Sequence, residues 1–196
     1  MYNPPPADLP SRAPQIHVST ETDIWYRSHS MDKGPLFFGK TMTQRWDAPA
    51  GEFGVLYLGS DEFCAFMESI GRSVLRTRLV PRTLVRQKGV SRVRFTRSLR
   101  LIDLVSSGGL ARIGADGSLS SGRGYKNSQR WSKALRDHPE KPDGIYYRSR
   151  HDPSRSACAL YDHCASAVEV VGPARSWNDD PVLLGRILDH YDLGIG

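Results

Sequence analysis

Apolar residues along this chain fall mostly in short runs, and only a few segments carry helical spacing. Ile24-Trp25-Tyr26 ahead of Arg27 predicts a first strand, and Val55-Leu56-Tyr57-Leu58, closed by Gly59-Ser60, a second. Ser60 with Asp61 and Glu62 reads as a helix start, a capping hydroxyl followed by acids in the first turn. Phe63, Phe66, Met67, Ile70 and Val74 then recur at helical spacing and predict a core face. Glu68 lies roughly 130° from the centre of that face, which the pattern alone reads as a solvated flank. Val93 and Phe95 alternate with Arg92 and Arg94 as in a half-exposed strand, and Leu99 to Leu104 continues as another.

Ser106 to Arg123 is rich in Gly and Ser and predicts a loop with at most a short helix. Asn127 to Asp137, with Ser128 as cap and Trp131 and Leu135 on one face, predicts a helix. Gly144 to Arg148, Ala157 to Tyr161 and Ala167 to Val171 read as strands, with His151-Asp152-Pro153 turning between the first two. Asp180-Pro181 opens a last helix with Leu184, Ile187, Leu188 and Tyr191 facing the core. Many short strands and few helices predict an α+β domain: a bent mixed or antiparallel sheet with a few flanking helices. The pattern leaves the strand order open.

A chain of 196 residues suits one ordinary domain, here expected over residues 21–196. Residues 1–20 read as an extended arm, with five prolines between Met1 and Pro14. That segment has no apolar core run and does not read as a signal peptide. No apolar run approaches the roughly 18 residues of a membrane span. Three cysteines without CxxC spacing argue against a disulfide framework and fit a reducing cytoplasm. The net charge of +6 is concentrated: nine Arg and one Lys lie between Arg72 and Arg100, where Asp and Glu are missing. Such a stretch suits nucleic acid, an acidic protein or an anionic ligand, or is simply a solvated face.

Common chemical signatures do not fit. Gly117 to Gly122 has half of a phosphate-loop spacing, but Arg123-Gly124 replaces the required Lys-Ser/Thr. His151, Cys158, Asp162, His163 and Cys164 match no zinc spacing, so no metal is expected. No GxSxG elbow is present.

Four patches, taken in order, are more informative. They are Trp25-Tyr26-Arg27 with Ser28-His29; Arg45-Trp46-Asp47-Ala48-Pro49 running through to Leu58; the following helix with Glu68; and Asp143 to Arg150 followed by Ala159-Leu160-Tyr161. Together they resemble the RES family, over about Trp25 to Val171. The resemblance implies a fold like the NAD-dependent ADP-ribosyltransferases. It also implies a bacterial, cytoplasmic toxin that consumes NAD as a substrate, without a prosthetic group. The acceptor would be phosphate or water. The partner would be an Xre-like antitoxin on a separate chain, with no membrane and with nucleic acid reached only through that antitoxin; whether the chain forms a homo-oligomer stays open.

Carried onto this sequence, the resemblance makes Arg27 an anchor for the pyrophosphate, a task its fork of donors suits. Tyr57 becomes a platform for the nicotinamide, and Glu68 the carboxylate that steadies the developing sugar cation. Ser149 would orient Glu68 or hold a ribose. Tyr26, Arg45 and His29 are secondary candidates, Arg45 for a second phosphate contact and His29 because it shares a strand face with Arg27. From the pattern alone, Tyr57 is equally a core residue, His29 a structural histidine and Ser149 a turn residue. Two other readings stand beside this one. The same fold would serve a mono-ADP-ribosyltransferase acting on a cellular protein. The Arg72 to Arg100 stretch would serve a nucleic-acid-binding module.

Overall fold

The computed structural model describes residues 3–122 and 124–196. In chain order, β1 is Ile16–Ser19, β2 Trp25–Ser30 and β3 Val55–Gly59. Helix α1, Glu62–Phe66, passes into a π-helical turn, Met67–Gly71, and ends in α2, Arg72–Val74. Then come β4, Leu79–Val80; α3, Arg82–Gln87; β5, Lys88–Phe95; and β6, Leu99–Asp103. Helices α4, Gly109–Ile113, α5, Ser118–Ser121, and α6, Tyr125–Arg136, precede β7, Gly144–Arg148, and β8, Ser156–Tyr161. Strand β9, Val168–Ser176, helix α7, Pro181–Tyr191, and β10, Gly194–Ile195, close the chain.

Eight strands form one sheet in the order β1-β6-β7-β8-β3-β2-β5-β9, while β10 and β4 make a small separate pair. Neighbours in the large sheet are antiparallel except β6 and β7. A parallel pair needs a long crossover, and α4, α5 and α6 supply it. The fold is therefore α+β around a mixed sheet. No helix among the described residues is long and apolar enough to cross a membrane.

One sheet face packs on α6 through Trp46, Phe53, Trp131, Leu135 and Tyr161, all essentially buried. The other face carries Trp25, Leu58, Val93, Phe95, Leu99 and Leu160. A third cluster joins the α1 region to α7 through Phe66, Ile70, Val90, Trp177, Leu184 and Ile187. Each such side chain contributes about 1.5–3 kcal/mol on burial, so the expected helical and strand alternations are what hold the layers together.

Several expectations change. The segment 1–20 is part of the domain, as far as its described residues 3–20 go. Leu9 is buried in the first cluster, and Ile16–Ser19 pairs antiparallel with β6 at the sheet edge. Its prolines masked two apolar anchors. Asp61 is the helix cap in place of Ser60, its carboxylate accepting from the Cys64 N–H at 2.7 Å. The Gly/Ser-rich stretch holds two short helices, both bounded by glycines. Helix α6 begins at Tyr125, so Ser128 lies inside it and donates to the Leu119 carbonyl at 2.9 Å.

Candidate active site

Strands β2 and β3 share a single residue pair, Tyr26 with Gly59. Beyond that pair the two strands part, and a cleft of about 330 Å³ opens between them. Gly59 also lets α1 approach, because a Cβ there would sit 2.7 Å from the Ala65 nitrogen. Arg27, the next residue on β2, lies in the split and donates from Nη1 to the Tyr57 carbonyl at 2.8 Å. Its Nε is buried without a partner, while Nη2 makes no hydrogen bond within the protein among the described residues. Burial pushes the guanidinium down to about 10, which leaves it cationic at neutral pH.

Glu68, on the π-helical turn, lines the same cleft. The turn keeps Met67 and Ile70 fully buried while Glu68 stays half-exposed on the flank. The flank that the pattern reads as solvated is the wall of the cleft. Such turns recur at functional positions. Ser149, fully buried just past β7, donates from Oγ to Glu68 Oε1 at 2.6 Å. The structure thus brings Arg27, Tyr57 and Glu68 to the wall of one cleft, from β2, β3 and the α1 extension, while Ser149, past the β7 end, lies outside the lining and holds Glu68.

Tyr57 is held at both ends. Its hydroxyl donates to Asp47 Oδ1 at 2.9 Å and accepts from the Trp46 N–H at 2.9 Å. Burial, and after it the neighbouring Asp47 carboxylate, raise this phenol well above its ordinary value, so it remains a neutral donor. Arg45 lines the cleft but spends its donors on protein: Nη1 on the Leu119 carbonyl at 3.1 Å, Nη2 on the Gly122 carbonyl at 2.8 Å. It also lies 4.9 Å from the centre of the Tyr125 ring. Its geometry is that of a clamp on the α5 segment. His29 is likewise engaged, with Nδ1 at 2.8 Å from the Ser30 carbonyl and Nε2 at 2.9 Å from Ser91 Oγ. Carbonyl oxygens only accept, so Nδ1 carries the hydrogen and the ring ties β2 to β5. Tyr26 lies on the cleft wall, yet it packs mainly against the third core cluster.

Other lining residues escaped the pattern. Arg72 and Lys88 come from the basic stretch, and Lys33, Arg150, Tyr125 and Tyr147 from elsewhere. Arg72 lies four residues after Glu68, a spacing that puts both on one helix face. Burial, then the nearby Arg27 and Arg72 cations, hold the Lys88 ammonium below its ordinary value. Glu68 is the one carboxylate among the described lining residues, set among six cationic side chains. Much of the remaining basic stretch is paired with acids. Arg94 meets Glu169, Arg100 meets Glu140, Arg78 meets Asp192, and Arg97 forks onto Asp143 at 2.6 and 3.0 Å. No cluster among the described residues is arranged to hold a metal ion.

Comparison with known proteins places this geometry in context. The family model described as RES domain matches residues 10–180. A probable toxin, y4kH, from Sinorhizobium fredii is 35% identical over 106 residues, covering 53% of this chain and 79% of that protein. A chain from the crystal structure of the M. tuberculosis MbcT–MbcA toxin–antitoxin complex superposes with a TM-score of 0.63 at 11% identity. The match covers 88% of this chain and 92% of that one, and at this identity it speaks for the fold.

Proposed function

Because this chain belongs to the RES domain family, we propose that it is an NAD-consuming toxin of a toxin–antitoxin pair, cleaving the nicotinamide–ribose bond with phosphate or water as acceptor. The observation that carries this reading is Glu68, held by Ser149 and the one carboxylate among the described lining residues of a cationic cleft. NAD is an anion with one cationic ring. Breaking its glycosidic bond releases neutral nicotinamide and builds positive charge on the ribose carbon. The leaving group needs no proton, so the chemistry asks for a carboxylate beside the sugar and a cationic hold on the pyrophosphate.

The residues divide accordingly. Arg27 keeps one arm on the Tyr57 carbonyl and leaves Nη2 for a phosphate oxygen, with Arg72 and Lys88 adding charge on the same cleft. Ser149 holds Oε1 of Glu68, and Oε2, which has no protein partner among the described residues, is left for a ribose hydroxyl and the growing cation. The Tyr57 and Tyr147 rings line the cleft as surfaces for the departing nicotinamide. An Xre-like antitoxin on a separate chain is the proposed partner; the names of the relatives, a probable toxin and a toxin–antitoxin complex, support this.

The test is to incubate the purified, partner-free protein with NAD, with and without inorganic phosphate, and to resolve the products. Wild type should release nicotinamide, and Glu68→Gln should release at least about 100-fold less. A phosphate requirement identifies the acceptor, and label from NAD on protein identifies a protein acceptor instead. A folded wild type that leaves NAD intact overturns the reading.

A further inference from the structure

The Glu68–Ser149 contact is buttressed from two sides, and both supports lead to α7, which lies beyond the residues matched by the family. Behind Glu68, Leu184 and Ile187 of α7 pack with Phe66 and Ile70 in the third core cluster. On the Ser149 side, the chain from Ser149 to Arg155 forms a tight loop. The Ser149 N–H donates to the Arg155 carbonyl at 2.9 Å, and the Arg155 N–H to the Asp152 carbonyl at 3.0 Å. At the centre of this loop the nearly buried Asp152 carboxylate collects three donors: Ser154 Oγ, Arg155 Nη1 and the Tyr191 hydroxyl, the last at 2.6 Å. Arg155 continues the chain of contacts to the start of α1. Its Nε donates to the cap Asp61 at 2.8 Å, and its guanidinium lies 4.9 Å from the Phe63 ring centre.

The helix bearing Glu68 and the loop bearing Ser149 are thus joined through Arg155, which bridges Asp61 and Asp152, and the Asp152 carboxylate is itself tied to the last turn of α7. Ser149 has a single hydroxyl with which to hold Glu68, so its placement must be accurate; from β7 the side chain of Arg148 ties only the far side of the loop, Nη1 donating to the Pro153 carbonyl at 3.0 Å. Building on the NAD-cleaving reading, we propose that Tyr191 is a positioning residue for the Glu68–Ser149 pair, acting through Asp152.

Tyr191→Phe removes one hydroxyl and keeps the ring against Phe63 and its neighbours. Nicotinamide release should lose about tenfold in kcat, because misplacement of a reacting group costs rate steeply. KM for NAD should stay within about twofold, since the pyrophosphate anchors are untouched. In a Ser149→Ala background the same substitution should have no further effect, the two residues acting in one chain. Losses that multiply in the double variant, or a raised KM with kcat unchanged, overturn the proposal. Amide hydrogen exchange at Ser149 and Arg155 gives a readout independent of turnover. It should quicken in Tyr191→Phe; equal exchange in both proteins overturns the positioning role whether or not NAD is consumed. Faster exchange in a protein whose wild type leaves NAD intact keeps the positioning role and removes the NAD reading instead.

Discussion

A lysine in place of Arg27 has one ammonium to place, either against the Tyr57 carbonyl or toward the cleft, where the guanidinium reaches both. Arg27→Lys should therefore lower kcat/KM for NAD by about 10–100-fold, the equivalent of one or two charged hydrogen bonds, as steady-state kinetics would measure. Unchanged kinetics would mean that Arg27 serves the fold alone. At this scale the sequence was only partly legible. Helical spacing puts Glu68 on a flank, and that is where it is; what no spacing reveals is that strand β2 opens opposite it. The candidacy of Arg27, Tyr57, Glu68 and Ser149 rests on family resemblance, whereas the Arg27–Tyr57 and Ser149–Glu68 hydrogen bonds are facts of geometry. The sequence offers Arg45 and His29 as secondary ligand contacts, but their partners, at Leu119, Gly122 and Ser91, lie too far along the chain for any local pattern to reveal.

Among elements, the approach of α1 to β3 depends on Gly59. An alanine there has its Cβ against backbone, which cannot yield as a side chain does. Gly59→Ala should cost about 1–3 kcal/mol by chemical denaturation and displace the helix that carries Glu68. A second junction, where β6 and β7 run parallel, is fastened by Asp143. Burial alone would raise this carboxyl, but hydrogen bonds from Arg97 and from the Arg100 N–H outweigh it and hold it below its ordinary value. A carboxylate depressed in the folded state contributes stability above its unfolded pKa and loses it as pH falls through the folded value. Acid should therefore unfold the wild type more steeply than Asp143→Asn, whose Tm should be lower at neutral pH and flatter below about pH 4. Elements with strong periodicity, such as α6 and β5, were readable in advance. Helices α4 and α5 were not, because glycine and serine suggest a loop and the clamp from Arg45 that steadies α5 comes from elsewhere in the chain.

Across the whole molecule, charge is sorted. Arg78, Arg94, Arg97 and Arg100 of the basic stretch find acidic partners, while Arg72 and Lys88 are held in the cleft with Arg27. The attraction of a dianionic pyrophosphate to such a cleft is screened by salt. At about 1 M ionic strength the Debye length falls to about 3 Å, and kcat/KM for NAD should drop several-fold from its low-salt value. An Arg72→Gln, Lys88→Gln double variant should show a shallower salt dependence; equal slopes would place the attraction elsewhere. The concentration of positive charge was visible in the sequence, but its division between ion pairs and cleft was not. Nor was the strand order, since β1 pairs with β6 and β3 with β8 across about half of the chain's length or a little less.

The parting of β2 from β3 has a consequence for solubility. Val55 exchanges both backbone bonds with Gly39, and Gly59 pairs with Tyr26, so Tyr57 between them turns its peptide groups the same way. There Arg27 takes the role of an absent strand, answering the Tyr57 carbonyl with a side chain. An unpaired strand margin at the rim of a sheet is a template on which other chains can assemble. Here the same vacancy is enclosed between two halves of a single sheet, where a small molecule can enter and another polypeptide's strand cannot lie alongside.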